Sequence, residues 1–444
     1  MVDASSHPTG VIVLGAGVDV PMGLPTVDNL ARSLIEFTSG EGRVVDRSLR
    51  EKIRNVHLNL KSVGGDAGEH LIQRLFEHPG DVSSKLNAIK AKIPAMDQGG
   101  PIGQVIDRLC EMAANNEAPP SLIADLAKII ERDIPSQIGG SIVDPKRLAL
   151  DPIVRDAVRT TFEQVLLTGD LTSSEREFVG DLVAATSNLE ELLASQFLRF
   201  SRTSILAERR NYLYLAWLLW AYVKWKAVDA VQHGRPSICH LISNLRTAVI
   251  SFNYTNFFSQ GGPAAICHFH GSVGEYLRLE DRTIVANDGL LHSAASIKEI
   301  ASLFADHLRL EVESYPELDL PGIVPPLSFK PIMSPDQLRR WAHAQESIES
   351  ASHIVIIGYS FSRADDHFNA LLRRARPDVR VTIVNPDVLG VTRAALGALG
   401  EAVPADLRVD ATGCVETERV VGIRAQAQEV EADQLRGWLG TPTA

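Results

Sequence analysis

The feature that most constrains this chain is a short apolar run that leads directly into a glycine-rich segment. Val-Ile-Val-Leu at 11–14 is followed at once by Gly15-Ala16-Gly17, and Gly-Leu-Pro follows at 23–25. Beyond it, apolar residues at 27, 30, 31, 34 and 35 recur with the spacing of one helix face. The pattern predicts a buried strand, a glycine turn and a helix, the first half of a βαβ unit. Such a turn serves equally well as a phosphate cradle or as a plain tight turn.

Strand-like runs return only in the second half of the chain, at 248–252, 265–270, 354–357 and 379–384. Continuous apolar runs of this length are typical of strands buried on both faces, as in parallel sheets. Between the last two runs, Ser362 is predicted to cap a short helix, with Asp365 three residues on in a capping-box position. The run from 354 to 384 is therefore predicted to be a second βαβ unit.

The middle of the chain has a different character. Residues 41–236 contain stretches of helical periodicity, such as 182–200 and 207–231, and clusters of Gly, Pro and Ser interrupt it near 93–103, 117–121 and 134–146. The sequence thus predicts an α/β fold: a Rossmann-like, doubly wound, mostly parallel sheet with a large helical insertion. The predicted domains are a discontinuous sheet domain over 1–40 and 237–400, a mainly helical inserted domain over 41–236, and a C-terminal tail or small subdomain over 401–444.

Composition excludes several classes of protein. The 444 residues include 44 Lys plus Arg and 55 Asp plus Glu, a formal net charge of −11, which argues against a protein that grips nucleic acid over its whole surface. The four cysteines, at 110, 239, 267 and 414, form no CxxC pair, so neither a disulfide framework nor a four-thiolate zinc site is predicted. The first ten residues lack a signal-peptide pattern. The most apolar run, 212–223, is shorter than the roughly 20 residues that span a bilayer. We expect a cytoplasmic chain in which this run is a buried helix.

Polar side chains follow the predicted strands where open parallel sheets bind ligands. Asn253 comes directly after the run 248–252, and His270 ends the run 265–270. Ser360 lies in the turn before the short helix, and Asn385 ends the last strand. Each residue alone has an ordinary interpretation, such as a turn cap or a hydrogen-bonded histidine that shares a strand face with His268. Together with the glycine-rich loop at 15–17, the loops that carry Asn253, His270 and Ser360 with Asn385 give four signals at one sheet edge, and their joint occurrence favours a ligand site.

The order of these segments and their residue motifs resemble those of the sirtuin family. Residues 15–25 are similar to that family's opening loop, which reads GAGIS, three residues, then GIP. Asn253 falls where the family has TQNID, and His270-Gly271 matches its catalytic HG. Gly358-Tyr-Ser360 matches its GTS-type loop, and Asn385 matches its adenosine-ribose Asn. The similarity covers roughly residues 8–38 and 245–390.

Carried over residue by residue, the resemblance implies that NAD⁺ binds across the sheet edge. His270 would act as the base, and Asn253 would orient the ribose or a water near the anomeric carbon. Pro25 and Thr26 would line the nicotinamide side. The full set implied to contact the dinucleotide besides the two catalytic residues is Gly15, Ala16, Gly17, Val18, Asp19, Pro25, Thr26, Phe252, Gly271, Gly358, Tyr359, Ser360 and Asn385.

Departures from the family narrow the expected reaction. Protein-deacylating sirtuins carry two CxxC pairs that bind a structural zinc, and this chain has none. Thr255 and Thr26 stand where the family has the Asp of NID and of PDFR. These departures argue against peptide deacylation and predict that the chain binds neither zinc nor another metal. The pattern is similar to bacterial sirtuin-like effectors of antiphage defence, which implies an NAD⁺ glycohydrolase that depletes NAD⁺ in abortive infection.

Three alternatives remain open. The first is a non-enzymatic module that binds NAD⁺ or ADP-ribose, and the second is an NAD-dependent protein deacylase. The third is a metal-dependent phosphoesterase that uses His268, His270, Asp365, Asp366 and His367. The resemblance further implies NAD⁺ as substrate, a homo-oligomer, and a HerA-like translocase ATPase or another defence protein as partner. No membrane and no direct nucleic-acid contact are expected.

Overall fold

The computed structural model of the chain describes most of the predicted sheet domain, 1–40 and 237–400, and part of the predicted insertion between its two parts. The described residues are 10–54, 79–93, 100–115, 206–235, 237–245, 247–258, 265–278, 281–286, 289–308, 320–325, 332–362 and 365–440, with shorter stretches at 56, 98, 161–162, 165–166, 170–172, 175–176, 178–180, 193–194, 196–197 and 330. The clusters predicted near 117–121 and 134–146, the first nine residues and most of the predicted helix 182–200 lie outside them.

The chain divides into two compact units, Met1–Val56 with Gln196–Ala444, and His57–Ser195. Both boundaries fall inside the predicted insertion 41–236, so part of that segment belongs to the unit that carries the sheet. In the second unit, two described helices pack against each other through buried Leu86, Ile89, Val105 and Ile106.

The strands described are β1 Gly10–Leu14, β2 Ala248–Ser251, β3 Ala265–His268, β4 Glu275–Leu277, β5 Ile284–Ala286, β6 Leu320–Pro321, β7 His353–Ile357, β8 Arg380–Val384, β9 Cys414–Glu416 and β10 Val420–Ile423. The helices described are α1 Val27–Ser39, α2 Arg43–Ile53, α3 Pro79–Lys90, α4 Pro101–Asn115, α5 Leu206–Gln232, α6 Cys239–Ile242, α7 Gly289–Ser293, α8 Ile297–His307, α9 Pro335–Ser350, α10 Asp366–Leu372, α11 Val388–Leu399 and α12 Ala432–Trp438.

Seven strands form one sheet in the order β3-β2-β1-β7-β8-β10-β9. All neighbouring pairs are parallel except β9, which runs antiparallel to β10. Every residue from Val11 to Leu14 is fully buried, as expected of a strand with helices on both faces. The predicted Rossmann-like, mostly parallel α/β sheet is confirmed. Two short strands that no sequence pattern predicted, β9 and β10, extend this sheet at one edge.

The strand order creates a crevice next to β1. From β1 the chain proceeds to β2 and β3 on one side, whereas from β7 it proceeds to β8 and β10 on the other. Adjacent strands whose connections leave in opposite directions form a topological switch point, and open α/β sheets bind ligands there, beyond the carboxyl ends of the strands. The ends of β1 and β7 are paired in register at Leu14 and Ile357.

The predicted buried helix at 212–223 is confirmed within α5, where all twelve of these residues are buried. Its Trp220 is fully buried and donates a 2.9 Å hydrogen bond from the indole N–H to the carbonyl of Val273. None of the helices in the described ranges combines the length and hydropathy needed to cross a membrane. All four cysteines are free thiols.

Two predicted element ends are wrong. The run 265–270 was expected to be strand throughout, but β3 ends at His268 because the Gly271 amide donates to the His268 carbonyl at 3.0 Å and turns the chain. His268 and His270 therefore do not share a strand face. Ser362 does not cap α10, which begins at Asp366 with Asp365 as its N-cap residue. The Ser362 carbonyl instead accepts the Asp365 amide at 3.0 Å.

Candidate functional site

The glycine-rich loop after β1 packs directly on the loop after β7. A Cβ on Gly15 would lie 2.4 Å from the Tyr359 Cα, and a Cβ on Gly17 would lie 2.9 Å from the Gly358 Cα. Gly358 has φ +63°, and a Cβ there would lie 2.7 Å from the Val18 amide nitrogen. Only glycine fits at such a close approach of two backbones. The spacing of these glycines is therefore a packing requirement of the switch point.

The amides of this loop already have partners. Gly15 donates to the Ile357 carbonyl and Gly17 to the Gly358 carbonyl, each at 2.9 Å. The amides of Val18 and Asp19 donate to the carbonyls of Gly15 and Ala16 at 3.1 Å. The sequence could not distinguish a phosphate cradle from a tight turn here, and these bonds favour the tight turn at the four positions.

Beyond this turn, the loop is held from α5. The Arg235 guanidinium donates to the Met22 carbonyl at 2.8 Å and pairs with Asp229 at 3.0 Å. The loop leads to Pro25 and Thr26, both half-buried, and Thr26 is the N-cap residue of α1. These two residues, predicted to line the nicotinamide side, therefore border the same loop.

Asp19 places a carboxyl group in the interior between the loops after β1 and β2. It is 4% exposed and accepts a short hydrogen bond from the Thr255 hydroxyl on Oδ2, while its buried Oδ1 has no hydrogen-bond partner. Burial raises the pKa of Asp19 to about 7, and the Thr255 hydrogen bond opposes this rise only in part. Asp19 is therefore partly protonated at neutral pH.

The loop after β2 contributes Phe252 and Asn253, both buried. The Phe252 ring lies 5.0 Å from the His270 ring, edge-on, and 4.7 Å from the Tyr359 ring, so it joins the loops after β2, β3 and β7. The backbone of Asn253 is held by the Ser251 hydroxyl, which accepts its amide at 3.2 Å. The structure thus brings the two predicted catalytic positions to one edge of the sheet.

His270 is positioned by a backbone turn and surrounded by charge. Gly271 has φ +77°, and a Cβ there would lie 1.8 Å from the Gly322 carbonyl oxygen. The His270 Nε2 lies 3.2 Å from the Asp365 Oδ1, and the same oxygen lies 3.3 Å from the Lys330 Nζ. The His270 and Asp365 atoms are within ion-pair distance but outside regular hydrogen-bond alignment. Their contact is therefore chiefly electrostatic.

Protonation states follow from these surroundings. Burial lowers the pKa of His270, the Lys330 charge lowers it further, and Asp365 opposes both. Burial alone would raise the pKa of Asp365, but His270 and Lys330 outweigh it and the pKa lies below its ordinary value. His270 is thus a neutral imidazole at pH 7, next to an ionised carboxylate. A neutral histidine is the form that can accept a proton.

The closing loop places its predicted ligand residues in different environments. Tyr359 is buried and its hydroxyl donates to Asn369 Oδ1 at 3.1 Å, whereas Ser360 is exposed. The Asn385 carboxamide donates to the Tyr359 carbonyl at 3.3 Å and accepts the Asp387 amide at 2.9 Å. Asn385 therefore ties the loop after β7 to the start of α11, in addition to any contact with a ribose.

Two charged residues of the site escaped the sequence analysis in these roles. Asp365 was considered only as a helix cap or a metal ligand, although its place after the Gly358 loop is a usable signal. Lys330 carries no signal in the sequence, because an isolated lysine belongs to no recognisable motif. Only the structure shows that both lie beside His270.

The possible metal ligands converge only in part. Nitrogen and oxygen atoms of His270, Asp365 and His367 lie within 4.8 Å of one another, whereas His268 and Asp366 are not in this group. The His367 ring stacks on Phe269 with centroids 5.6 Å apart and contacts the Trp341 ring at 4.9 Å. Burial, and then His270 and Lys330, lower the pKa of His367 to about 4. His367 is therefore a neutral, aromatic-packed histidine.

No protein-family model and no curated protein matches the chain. Solved structures similar to it include a Sir2 homologue–NAD complex, at 17% identity over 51% of this chain and 74% of the other, with a TM-score of 0.33. A variant of a Sir2 homologue in complex with ADP-ribose has 17% identity over 52% of this chain and 77% of the other, with a TM-score of 0.33. A Sir2 enzyme structure has 14% identity over 53% and 78%, with a TM-score of 0.29. These values are too low to transfer residue roles to this chain.

Proposed function

We propose that this protein is an NAD⁺ glycohydrolase that converts NAD⁺ and water to ADP-ribose and nicotinamide. The observation that carries the proposal is a neutral, buried His270 at the switch-point edge of the sheet, joined through Phe252 to the glycine-rich loop pair. Dinucleotides bind at such an edge in Rossmann-like folds. The sirtuin-like wording of the loops supports NAD⁺ as the particular dinucleotide.

In this reaction the bond between the ribose C1′ and the nicotinamide nitrogen breaks, and nicotinamide leaves with the bonding electron pair. The C1′ centre becomes oxocarbenium-like, and a water oxygen then forms the new bond to it. His270 accepts the proton that this water loses and later returns it to solvent, so the products are ADP-ribose, nicotinamide and one proton. The Asn253 carboxamide orients the water or the ribose. Fixed dipoles in a water-poor pocket stabilise the developing charge.

Hydrolysis requires few other features of the site. The acceptor is water, so the reaction requires neither an acyl-lysine cleft nor the zinc-binding cysteine pairs that flank one in deacylating sirtuins. The proposal accordingly includes no zinc and no other metal. The buried environment of His270 suits it as a base, since burial lowers its pKa below the ordinary value and favours the neutral imidazole.

The test measures nicotinamide release from NAD⁺ by the full chain, alone and with candidate activators. General-base catalysis is typically worth about 10²–10⁴-fold, so His270→Ala should lose about that much turnover. Asn253→Ala should also lose turnover, and both variants should still bind ADP-ribose by calorimetry. The exposed His343 on α9 provides a matched control, His343→Ala, which should retain wild-type turnover. NAD⁺ binding without any nicotinamide release would contradict the proposal.

One observation favours a second candidate, a module that binds NAD⁺ or ADP-ribose without cleaving it. Thr255, which stands where the sirtuin family has an Asp, donates its hydroxyl hydrogen bond to the buried Asp19. Such a module would keep its biological effect in both His270→Ala and Asn253→Ala, whereas the enzyme would lose its effect in both. The nicotinamide assay separates it from the enzyme.

We further propose that the activity serves antiphage defence by depleting cellular NAD⁺, with a homo-oligomer or a partner such as a HerA-like ATPase controlling it. Cells carrying the wild-type gene and its genomic neighbours should lose NAD⁺ after phage challenge, and cells carrying His270→Ala should not. If cells that carry the wild-type gene survive phage challenge and their NAD⁺ concentration does not change, this role is contradicted.

A further inference from the structure

Behind His270 lies a set of buried charges that the proposed reaction does not by itself require. Side-chain exposure is 7% for His270, 14% for Asp365 and 2% for Lys330. Burying an ammonium group is costly unless an opposite charge accompanies it. Lys330 and Asp365 supply such a pair, and the carboxylate oxygen that faces Lys330 is the one that faces His270.

The location of this oxygen determines which ring nitrogen of His270 carries the proton and which carries the lone pair. A carboxylate 3.2 Å from Nε2 favours the tautomer that carries its proton on Nε2, because the positive N–H hydrogen is then nearer to the negative charge than it would be on Nδ1. The lone pair is then on Nδ1, which can accept the proton from water. When it does so, Asp365 lies next to the new positive charge and stabilises it, as the acid member of a hydrolase triad does.

Lys330 acts on both partners. Its charge helps to keep Asp365 ionised and also lowers the pKa of His270. The other titratable groups near the trio are His367 and Asp366 on α10, Tyr254 after β2 and Tyr359 after β7. The His367 ring centroid lies 6.4 Å from that of His270, Asp366 is exposed, and the Tyr254 hydroxyl donates to the Val324 carbonyl at 2.7 Å.

We propose that Asp365 is the positioning residue of His270, and that Lys330 sets the charge of Asp365, so that Lys330, Asp365 and His270 act as one buried triad. This inference rests on the proposed hydrolysis of NAD⁺ for its kinetic consequences. Its structural consequences, the tautomer and the protonation of His270, do not depend on turnover.

The kinetic test follows nicotinamide release by the full chain between about pH 5 and 9. Asp365→Asn should reduce kcat on the order of 10²-fold, with KM changed less than about threefold. It should also move the acid limb of the kcat profile to lower pH, because the charge that raises the pKa of His270 is gone. Lys330→Met should move the acid limb to higher pH, because the charge that lowers that pKa is gone. Lys330→Arg should restore the wild-type limb.

Matched controls come from a second buried ion pair. The Arg340 guanidinium donates to both Glu275 carboxylate oxygens at 2.8 Å, and neither residue acts on the pKa of His270. Glu275→Gln and Arg340→Met should therefore leave the acid limb in place even where they lower thermal stability. The proposal would be overturned if the acid limb of the kcat profile moved in the same direction in Asp365→Asn and Lys330→Met. An equal movement in the two control variants would also overturn it.

A measurement on the wild-type chain keeps the test independent of folding and of turnover. With ¹⁵N-labelled histidine and His270→Gln for assignment, the His270 ring should show a protonated Nε2, an unprotonated Nδ1 and a pKa below 6.5. The opposite tautomer would overturn the triad. Absence of nicotinamide release together with the expected tautomer would contradict the proposed function and leave the triad standing.

Added zinc tests whether His270, Asp365 and His367 bind a metal ion instead of forming the triad. Because the Lys330 ammonium lies 3.3 Å from the oxygen that a cation would take, titration of the full chain with Zn²⁺ should show no stoichiometric binding that depends on His367. Such binding, lost in His367→Ala, would contradict the triad, since the metal would then hold the His270 Nε2.

Discussion

The two halves of the sheet edge are built on different principles. On the β1–β7 half, Gly15, Gly17 and Gly358 interlock, and their backbones bond to each other. On the β2–β3 half, His270 follows β3, and Asp365 from the loop after β7 and Lys330 from the segment before α9 bring their charges beside it. The first half is rigid and admits no added atoms, whereas the second carries buried charge. The difference shows that shape is set on one side of the crevice and chemistry on the other.

Asp19 lies where the two halves meet and gives the largest expected effect. Its pKa is about 7 in the folded chain against 3.8 ordinarily. Below pH 3.8 the carboxyl is neutral in both the folded and the unfolded chain, and its contribution to the free energy of unfolding is fully present. As the pH rises to 7 the unfolded chain releases a proton that the folded chain keeps, and this contribution is lost. At about 1.4 kcal/mol per pH unit, the loss is on the order of 4 kcal/mol.

Asp19→Asn removes this dependence. The variant should therefore gain stability relative to the wild type as the pH rises from 4 to 8, by an amount approaching that loss. Urea unfolding of both proteins at the two pH values measures it. Because the buried histidines titrate alike in both proteins, the difference isolates Asp19. A difference that does not change with pH would show that the carboxyl ionises freely and that the two halves are not coupled there.

Gly358→Ala tests the rigid half and should give the next largest effect. An L-residue at φ +63°, with its Cβ 2.7 Å from the Val18 nitrogen, should cost about 2–3 kcal/mol of unfolding free energy. The matched control is Gly397→Ala in α11, where a Cβ meets nothing within 4 Å and should stabilise the helix by up to about 1 kcal/mol. Equal unfolding midpoints for the two variants would show that the loop pair can open.

Asn385→Ala gives the smallest effect and separates a structural from a ligand role. Both ends of its carboxamide bond to backbone groups, so we expect a loss of about 1 kcal/mol in unfolding free energy. The KM for NAD⁺ should change less than about threefold. A tenfold rise in KM with unchanged stability would assign the residue to the ribose instead.

Much of the fold could be predicted from the sequence, because buried parallel strands are continuous apolar runs. The runs at 11–14, 354–357 and 379–384 correspond to β1, β7 and β8 within a residue. The short strands β4 to β6 and β9 to β10 were not predicted, since two to four residues carry no recognisable period. The end of β3 was misplaced because Gly271 and the backbone of Gly322, distant in sequence, meet there.

The sequence by itself determined that this chain forms a mostly parallel sheet and where its long buried strands lie, since hydrophobic period and glycine spacing are local properties. It also placed Asn253 and His270 in the loops that follow β2 and β3. The tertiary structure alone decided the charges around His270. Lys330 and Asp365 lie on separate segments, and the pKa of a buried group depends on burial and on neighbours brought together by the topology. The same loops could line an inert crevice without that pair. With it, the structure gives a neutral imidazole beside a buried carboxylate.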